Sequence, residues 1–252
     1  MTEPAPFPVV KVTGAVEDEQ AGSKRKFWSN DDDGHRMLFK YGRPGTGENW
    51  AEKIAAEVAD LLMVPHAQVE LAEFEGERGI VSYDVTEGLE RGALVHGNEL
   101  LTWTSPGYDM GSTFRNVQHT LARVLDALAR DFIYAPRGHS CPVGLERGVE
   151  VFVGYLLLDA LIGNTDRHHQ NWAVLVPYHA PGVKLRAELS PSFDHASSLG
   201  RELPEARQRE LLSGRWPDCS TLRRACPVGL LPPGVGREAD EYPGSIPGGL
   251  HG

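Results

Sequence analysis

The sequence predicts an α+β fold in two parts: a small β-rich half with one helix, then a shortened, mainly helical half. Three observations carry this. Before about residue 85, short alternating runs are separated by Asp/Gly and Glu/Gly turns, the pattern of antiparallel hairpins. Inside that half, Glu48 to Met63 repeats its apolar residues at helical spacing. Beyond it, Thr113 to Asp131 and Gly148 to Gly163 are longer helical runs.

Composition narrows the classes. The chain has 252 residues, enough for a sizeable core, and its 40% hydrophobic and 24% charged residues are those of a globular protein. A net charge of -10 argues against direct nucleic-acid binding and against an anionic membrane surface. Val149 to Gly163, the longest apolar run, is too short to span a membrane and contains Asp159. The start, MTEPAPFPVVKVTG, lacks the basic opening and apolar centre of a signal peptide. Cys141, Cys219 and Cys226 are scattered, with no CxxC, which reads as reduced thiols in the cytoplasm and no zinc site.

In chain order, residues 1 to 18 are Pro-rich and then acidic, and read as a loose arm. Residues 19 to 85 form the β-rich part. Gly22, Ser23 and the cations up to Lys26 can cradle phosphates, although taken alone they read more readily as a solvated basic turn. Lys26 to Ser29 and Arg36 to Lys40 form a hairpin about the Asn30–Gly34 turn. Lys40 then precedes a Gly/Pro turn and the helix from about Glu48 to Met63. Trp50, Ile54, Val58, Leu61 and Leu62 form its apolar stripe, with Glu52 and Glu57 off its centre. Val69 to Phe74 and Gly79 to Tyr83 make a second hairpin.

Residues 86 to 212 form the second part. Residues 84 to 111 are mixed and Gly-rich. Thr113 to Asp131 presents Phe114, Val117, Leu121, Val124, Leu125 and Leu128 on one helix face. Gly148 to Gly163 is nearly all apolar, hence a buried helix. It ends in a polar knot, Asn164-Thr165-Asp166-Arg167-His168-His169-Gln170-Asn171. Two strands follow, then Asp194 in a Pro-Ser-Phe-Asp setting. Arg201 to Leu212 reads as a polar helix, and residues 213 to 252 as a Pro/Gly-rich disordered tail.

The knot carries the chemistry. Asp166 and Asn171 stand five positions apart on one loop, and Asp194 returns through a hairpin. Hard cations take oxygen ligands, and magnesium is held by one or two side chains plus substrate phosphates. Protein kinases use an Asp, an Asn five positions on, and a later Asp as base and two metal ligands.

With these residues in view, the chain resembles the HipA-like serine/threonine kinases, a bacterial group with a protein-kinase-like, two-lobed fold. The resemblance spans about residues 20 to 205. It rests on Gly22-x-x-x-Lys26, Leu38-Phe39-Lys40, the helix Trp50 to Glu57, and Val64-Pro65. Most specific are Asn164-x-Asp166-Arg167-His168-x-x-Asn171 and Leu189-x-Pro191-x-Phe193-Asp194.

The resemblance implies roles. Asp166 is the base that accepts the substrate hydroxyl's proton. Asn171 and Asp194 bind Mg2+. Lys40 contacts the α/β-phosphates of ATP and pairs with Glu52, chosen over Glu57 because Val58-Ala59 and Val64-Pro65 follow it at the family's spacing. Gly22, Ser23 and Lys26 cover the phosphates. Ser82, Tyr83 and Asp84 form the hinge beside the adenine. Asn164 braces the loop. His168 reads first as a structural histidine, and second as one that reaches a phosphate or Asp166; His169 and His195 have no assigned role. The implied partners are ATP, a protein substrate with a Ser/Thr hydroxyl, and an antitoxin or regulator.

The chain departs from the family in lacking a separate N-terminal region, and in its short lobe after Asp194. The composition shift after Arg215 is what a truncated or frame-shifted reading frame gives. Two alternatives therefore stay open: a nucleotide-binding pseudokinase module, and transfer of phosphate or nucleotide to a lipid or small-molecule hydroxyl.

Overall fold

The computed structural model describes residues 7–18, 25–87, 92–111, 116–139, 141–142, 144–178 and 185–201. The first part is a six-stranded sheet and one helix. Its strands are β1 (Val9–Lys11), β2 (Glu17–Asp18), β3 (Lys26–Asn30), β4 (Arg36–Tyr41), β5 (Val69–Phe74) and β6 (Glu77–Tyr83), in the order β1-β5-β6-β4-β3-β2. Helix α1 (Glu48–Leu61) crosses from β4 to β5. Alternation places Phe27, Met37, Phe39, Ala72 and Val81 in one cluster with Val12. Ala56, Val69 and Ile80 pack together in another, where the helix meets the sheet. The β5–β6 turn needs left-handed backbone at Glu75 (φ 50°) and Gly76 (φ 81°).

Two expectations are corrected in this part. Residues 1 to 6 of the expected loose arm lie outside the described residues, but residues 7 to 18 are not loose: β1 pairs in parallel with β5, and β2 antiparallel with β3. Strands this short carry little periodic signal, and the β1 pairing is non-local. The buried face of α1 also follows the Trp50–Leu62 stripe only in part: Val58 packs half-buried against the main core. Trp50, Leu61 and Leu62 are exposed, whereas Ala51, Ala55, Ala56 and Ala59 are buried together with Glu48, Glu52 and Lys53. Ala56 lets the helix lie close to the sheet, and Ala55 and Ala59 let it lie close to the core of the second part.

The second part contains β7 (Ala93–His96), α2 (Gly97–Thr104), α3 (Leu121–Leu128), β8 (Ile133–Tyr134), α4 (Gly148–Ile162), β9 (Ala173–Val176) and β10 (Ala187–Leu189). A four-stranded sheet, β7-β9-β10-β8, accompanies its helices. The main core joins Leu100, Leu101, Val124, Leu128, Ile133, Phe152, Tyr155, Leu158, Trp172 and Leu189 to Ala55 and Ala59 of α1. The stretch after α1 is stitched to the segment that leads into Asp194: Ala67 N–H donates to the Ser192 carbonyl (2.8 Å) and Ser192 N–H to that of Pro65 (2.9 Å).

Three further expectations change. The mixed segment 84 to 111 includes β7 and α2. Of the expected helix from Thr113, residues 113 to 115 lie outside the described residues, 116 to 120 are not helical, and α3 begins at Leu121, where Thr120 caps it by accepting from Arg123 N–H. Helix α4 is not buried all round: Val153, Leu157 and Leu161 form an exposed ridge. Of the stretch 201 to 252, only Arg201 lies within the described residues. Among the described residues, no helix is long and apolar enough to cross a membrane.

Candidate active site

Lys40 sits near the end of β4, where the sheet faces α1. Its neighbour strand is admitted closely because position 79 has no side chain; a Cβ there would lie 2.3 Å from the Lys40 carbonyl oxygen. Lys40 Nζ donates to Glu52 Oε1 at 3.2 Å and to Asp194 Oδ1 at 3.5 Å. Burial works against the ammonium, but the two carboxylates outweigh it and raise its pKa above the ordinary lysine value. One cation therefore ties the sheet, α1 and the loop after β10. Asp194 takes left-handed backbone (φ 60°), rare for a residue with a side chain, and its carboxylate remains about one-third exposed (34%).

The polar knot is built from the end of α4. Gly163 closes that helix in the left-handed conformation (φ 64°). Asn164 Oδ1 then accepts from Asp166 N–H (3.0 Å), and Asn164 Nδ2 donates to Asp159 Oδ1 (2.8 Å). Asn171 Nδ2 donates to the Asp166 carbonyl (2.7 Å), which turns its amide nitrogen into the loop. The Asp166 carboxylate is left 41% exposed, 4.0 Å from His168 Nε2. His168 Nδ1 accepts from Gln170 N–H (3.1 Å). Burial lowers the His168 pKa against the opposing pull of Asp166 and Asp194.

Arg167, unassigned from the sequence, is the hub of the site. Its Nε and Nη2 each donate to Asp159 at 2.8 Å. Its Nη1 donates to the carbonyl of Asn171 (2.5 Å) and lies 3.5 Å from that of Phe193. Its Nη2 also donates to Ser192 Oγ (3.0 Å), which contacts His195 Nε2 (2.7 Å). The backbone beside Asn171 and Asp194 thus converges on one guanidinium. A carboxylate inside an apolar helix, Asp159, was the available signal: a buried charge demands a partner. His195 and His169 are both buried rather than solvated. Burial, with the Arg167 charge, holds the His195 pKa well below the ordinary value. His169 Nδ1 contacts the Tyr108 hydroxyl (2.7 Å), and Trp172 Nε1–H donates to His119 Nε2 (3.2 Å).

The remaining sequence-derived residues lie around this centre. Ser82 and Tyr83 end β6, and Ser82 is paired across to Leu38. The Asp84 carboxylate accepts from the N–H and hydroxyl of Thr86 (2.8 and 2.7 Å) and lies 3.5 Å from Arg36. Lys26 pairs directly across from Lys40 on β3. Gly22 and Ser23 lie outside the described residues. As a donor set for a divalent metal, the Asn171 amide oxygen and the partly exposed Asp194 carboxylate fit a hard cation such as magnesium.

No family model matches the sequence, and neither does any curated protein. Solved structures do. The chain is similar to CtkA, a proinflammatory kinase of Helicobacter pylori, with a TM-score of 0.59 and 19% identity over 86% of this chain and 68% of that one. A second match is HipA of Shewanella oneidensis MR-1, solved as a toxin–antitoxin complex with HipB and operator DNA. It has a TM-score of 0.37 and 15% identity over 73% of this chain and 45% of that chain. The fold is a kinase-like α+β fold.

Proposed function

We propose that this chain is an ATP- and magnesium-dependent kinase that transfers the γ-phosphate to a hydroxyl, with protein Ser/Thr as the acceptor class. The observation that carries the reading is Lys40 reaching both Glu52 and Asp194. A strand lysine paired with a helix glutamate, beside a loop aspartate, is the set that positions nucleotide phosphates and metal for phosphoryl transfer, whose catalysis is positioning and charge neutralisation.

In this reading Glu52 orients Lys40 toward the α/β-phosphates. Asn171 and Asp194 would hold magnesium, which neutralises charge on the phosphate oxygens. Asp166 accepts the proton of the acceptor hydroxyl as its oxygen bonds to the γ-phosphorus and the bond to the leaving ADP breaks. Asn164 and Arg167 keep that loop in shape beforehand, so little reorganisation is left to the reaction. Gly22, Ser23 and Lys26 would close over the phosphates, and Ser82 to Asp84 would flank the adenine. Cytoplasmic placement, and an antitoxin or regulator as partner, belong to the same proposal.

A second reading, a nucleotide-binding module without transfer, is favoured by one contact. Lys40 engages Asp194 directly, at the position where a metal would sit. One experiment separates the two. The wild type and Asp166→Ala are incubated with labelled magnesium-ATP and cell extract. Products are identified by mass spectrometry, and nucleotide binding is followed by thermal shift. Transfer that falls by about 10²-fold or more in the variant, with binding kept, supports the kinase. Binding without transfer in the wild type supports the module. Absence of nucleotide binding overturns both.

A further inference from the structure

Glu48 opens α1 and stands one turn before Glu52 on the same buried face. The two carboxylates are therefore aimed together into the space between the parts of the fold. Glu52 meets Lys40. Glu48 meets Arg201, a residue 153 positions later and the last of the described chain. Both side chains are buried, with 6% exposure for Arg201 and 4% for Glu48. Arg43 also approaches Glu48, at 3.8 Å, but from a half-exposed position.

Arg201 is itself anchored beside the catalytic loop. Its Nη2 donates to Ser197 Oγ (2.8 Å), and its N–H donates to the Ser198 carbonyl (3.1 Å). The Ser197 carbonyl accepts from Thr165 N–H (3.0 Å), next to Asp166. The contacts form a ring: Asp194, the 195–198 turn, Arg201, Glu48, Glu52, Lys40 and back to Asp194. Its two crossings between the parts of the fold are Lys40–Asp194 and Glu48–Arg201.

We propose that Arg201 is a positioning residue whose buried pair with Glu48 fixes the first turn of α1, and so sets whether Glu52 can hold Lys40 at the nucleotide phosphates. The proposal deepens the phosphotransfer reading and rests on it. A buried ion pair contributes little net stability over an apolar substitute, and its better-attested use is to fix one arrangement. Here the first turn that it fixes buries a single apolar side chain, Ala51.

The test has two arms on the full chain. In the first, hydrogen exchange of the α1 amides is measured without nucleotide in wild type and Arg201→Met. Faster exchange in the first two turns of α1, with β5 and β6 unchanged, supports the proposal. Unchanged α1 exchange overturns it, whatever the protein does with ATP. In the second, magnesium-ATP affinity is measured in a double-mutant cycle. Arg201→Met is expected to weaken binding about tenfold, within the usual range of coupling between sites. In a Glu52→Gln background the same change is expected to cost less than about twofold, because the route through Glu52 is already cut. Fully additive effects overturn the proposal. Arg43→Met, at the exposed partner, is expected to stay within about twofold of wild type. Should Arg201→Met fail to fold, Arg201→Lys serves both arms, with loosening of α1 still expected because a single nitrogen cannot stand in both the Nη1 position at Glu48 and the Nη2 position at Ser197. Absence of ATP binding by the wild type overturns the phosphotransfer reading, while the exchange arm still decides whether Arg201 positions α1.

Discussion

Arg167 grips Asp159 through two hydrogen bonds of 2.8 Å, and both side chains are 4% exposed. The pair joins the end of α4 to the loop carrying Asp166 and Asn171. Replacing Asp159 by Ala leaves a guanidinium buried without its counter-charge. Urea unfolding is expected to show a loss of about 3 kcal/mol. The double substitution Asp159→Leu/Arg167→Met removes both charges and is expected to recover much of that stability. Phosphate transfer should not recover, because the carbonyls of Asn171 and Phe193 lose their common donor.

The two partners of Lys40 differ in exposure, and this separates their effects. Glu52 is almost fully buried, whereas Asp194 is 34% exposed. Lys40→Met strands Glu52 and should cost about 3 kcal/mol in denaturant unfolding. Asp194→Asn can hydrate its amide and should cost less than about 1 kcal/mol. Both variants should lose magnesium-ATP affinity in calorimetric titration. Equal stability losses would show that Lys40 does not discriminate between the two carboxylates.

Acid should weaken the region behind the Asp166–Asn171 loop. Burial, and then the neighbouring His169 and His168 charges, depress the His119 pKa from the ordinary 6.5 to about 4. The folded state holds neutral imidazole, so the unfolded chain takes up the proton first as pH falls. Stability from this group is complete above pH 6.5 and is lost progressively down to about 4, up to about 3 kcal/mol. His195 and His169, also depressed, act in the same direction. Melting temperatures across this range should fall more steeply in wild type than in His119→Gln, which keeps an acceptor for Trp172.

Ala55 is fully buried where α1 meets the main core. Ala55→Leu should cost about 1–3 kcal/mol through overpacking. It should also weaken nucleotide binding, because Ala55 packs against the main core and a larger side chain there shifts α1, and Glu52 with it, relative to Lys40. A nucleotide affinity equal to wild type in a destabilised Ala55→Leu protein would separate packing from phosphate positioning.

Local signals made part of this legible. The β3–β4 and β5–β6 hairpins follow from alternation and turn residues, and the extent of α1 from its periodicity. Asp166, Asn171 and Asp194 stand out because their spacing is itself the motif. The α1 face was misread because Trp50, Leu61 and Leu62 outweigh alanines on any hydrophobicity scale, yet closeness of approach decides which side is buried. Helix α4 failed for a related reason: a helix apolar all round does not say which side meets the core, and Leu157 lies outside. Arg167 was signalled only indirectly, by the lone carboxylate Asp159 in an apolar helix, and Arg201 not at all, because its partner is set by tertiary placement across 153 positions.

The alanine face of α1 has one more consequence. Helices usually dock by shape, with ridges of large side chains seated in the grooves of a neighbour. Ala51, Ala55, Ala56 and Ala59 offer only methyl groups, so beside the half-buried Val58 they raise shallow ridges. What holds the register of this helix is then the charges at Glu48, Glu52 and Lys53, so its alignment is encoded in electrostatics more than in shape.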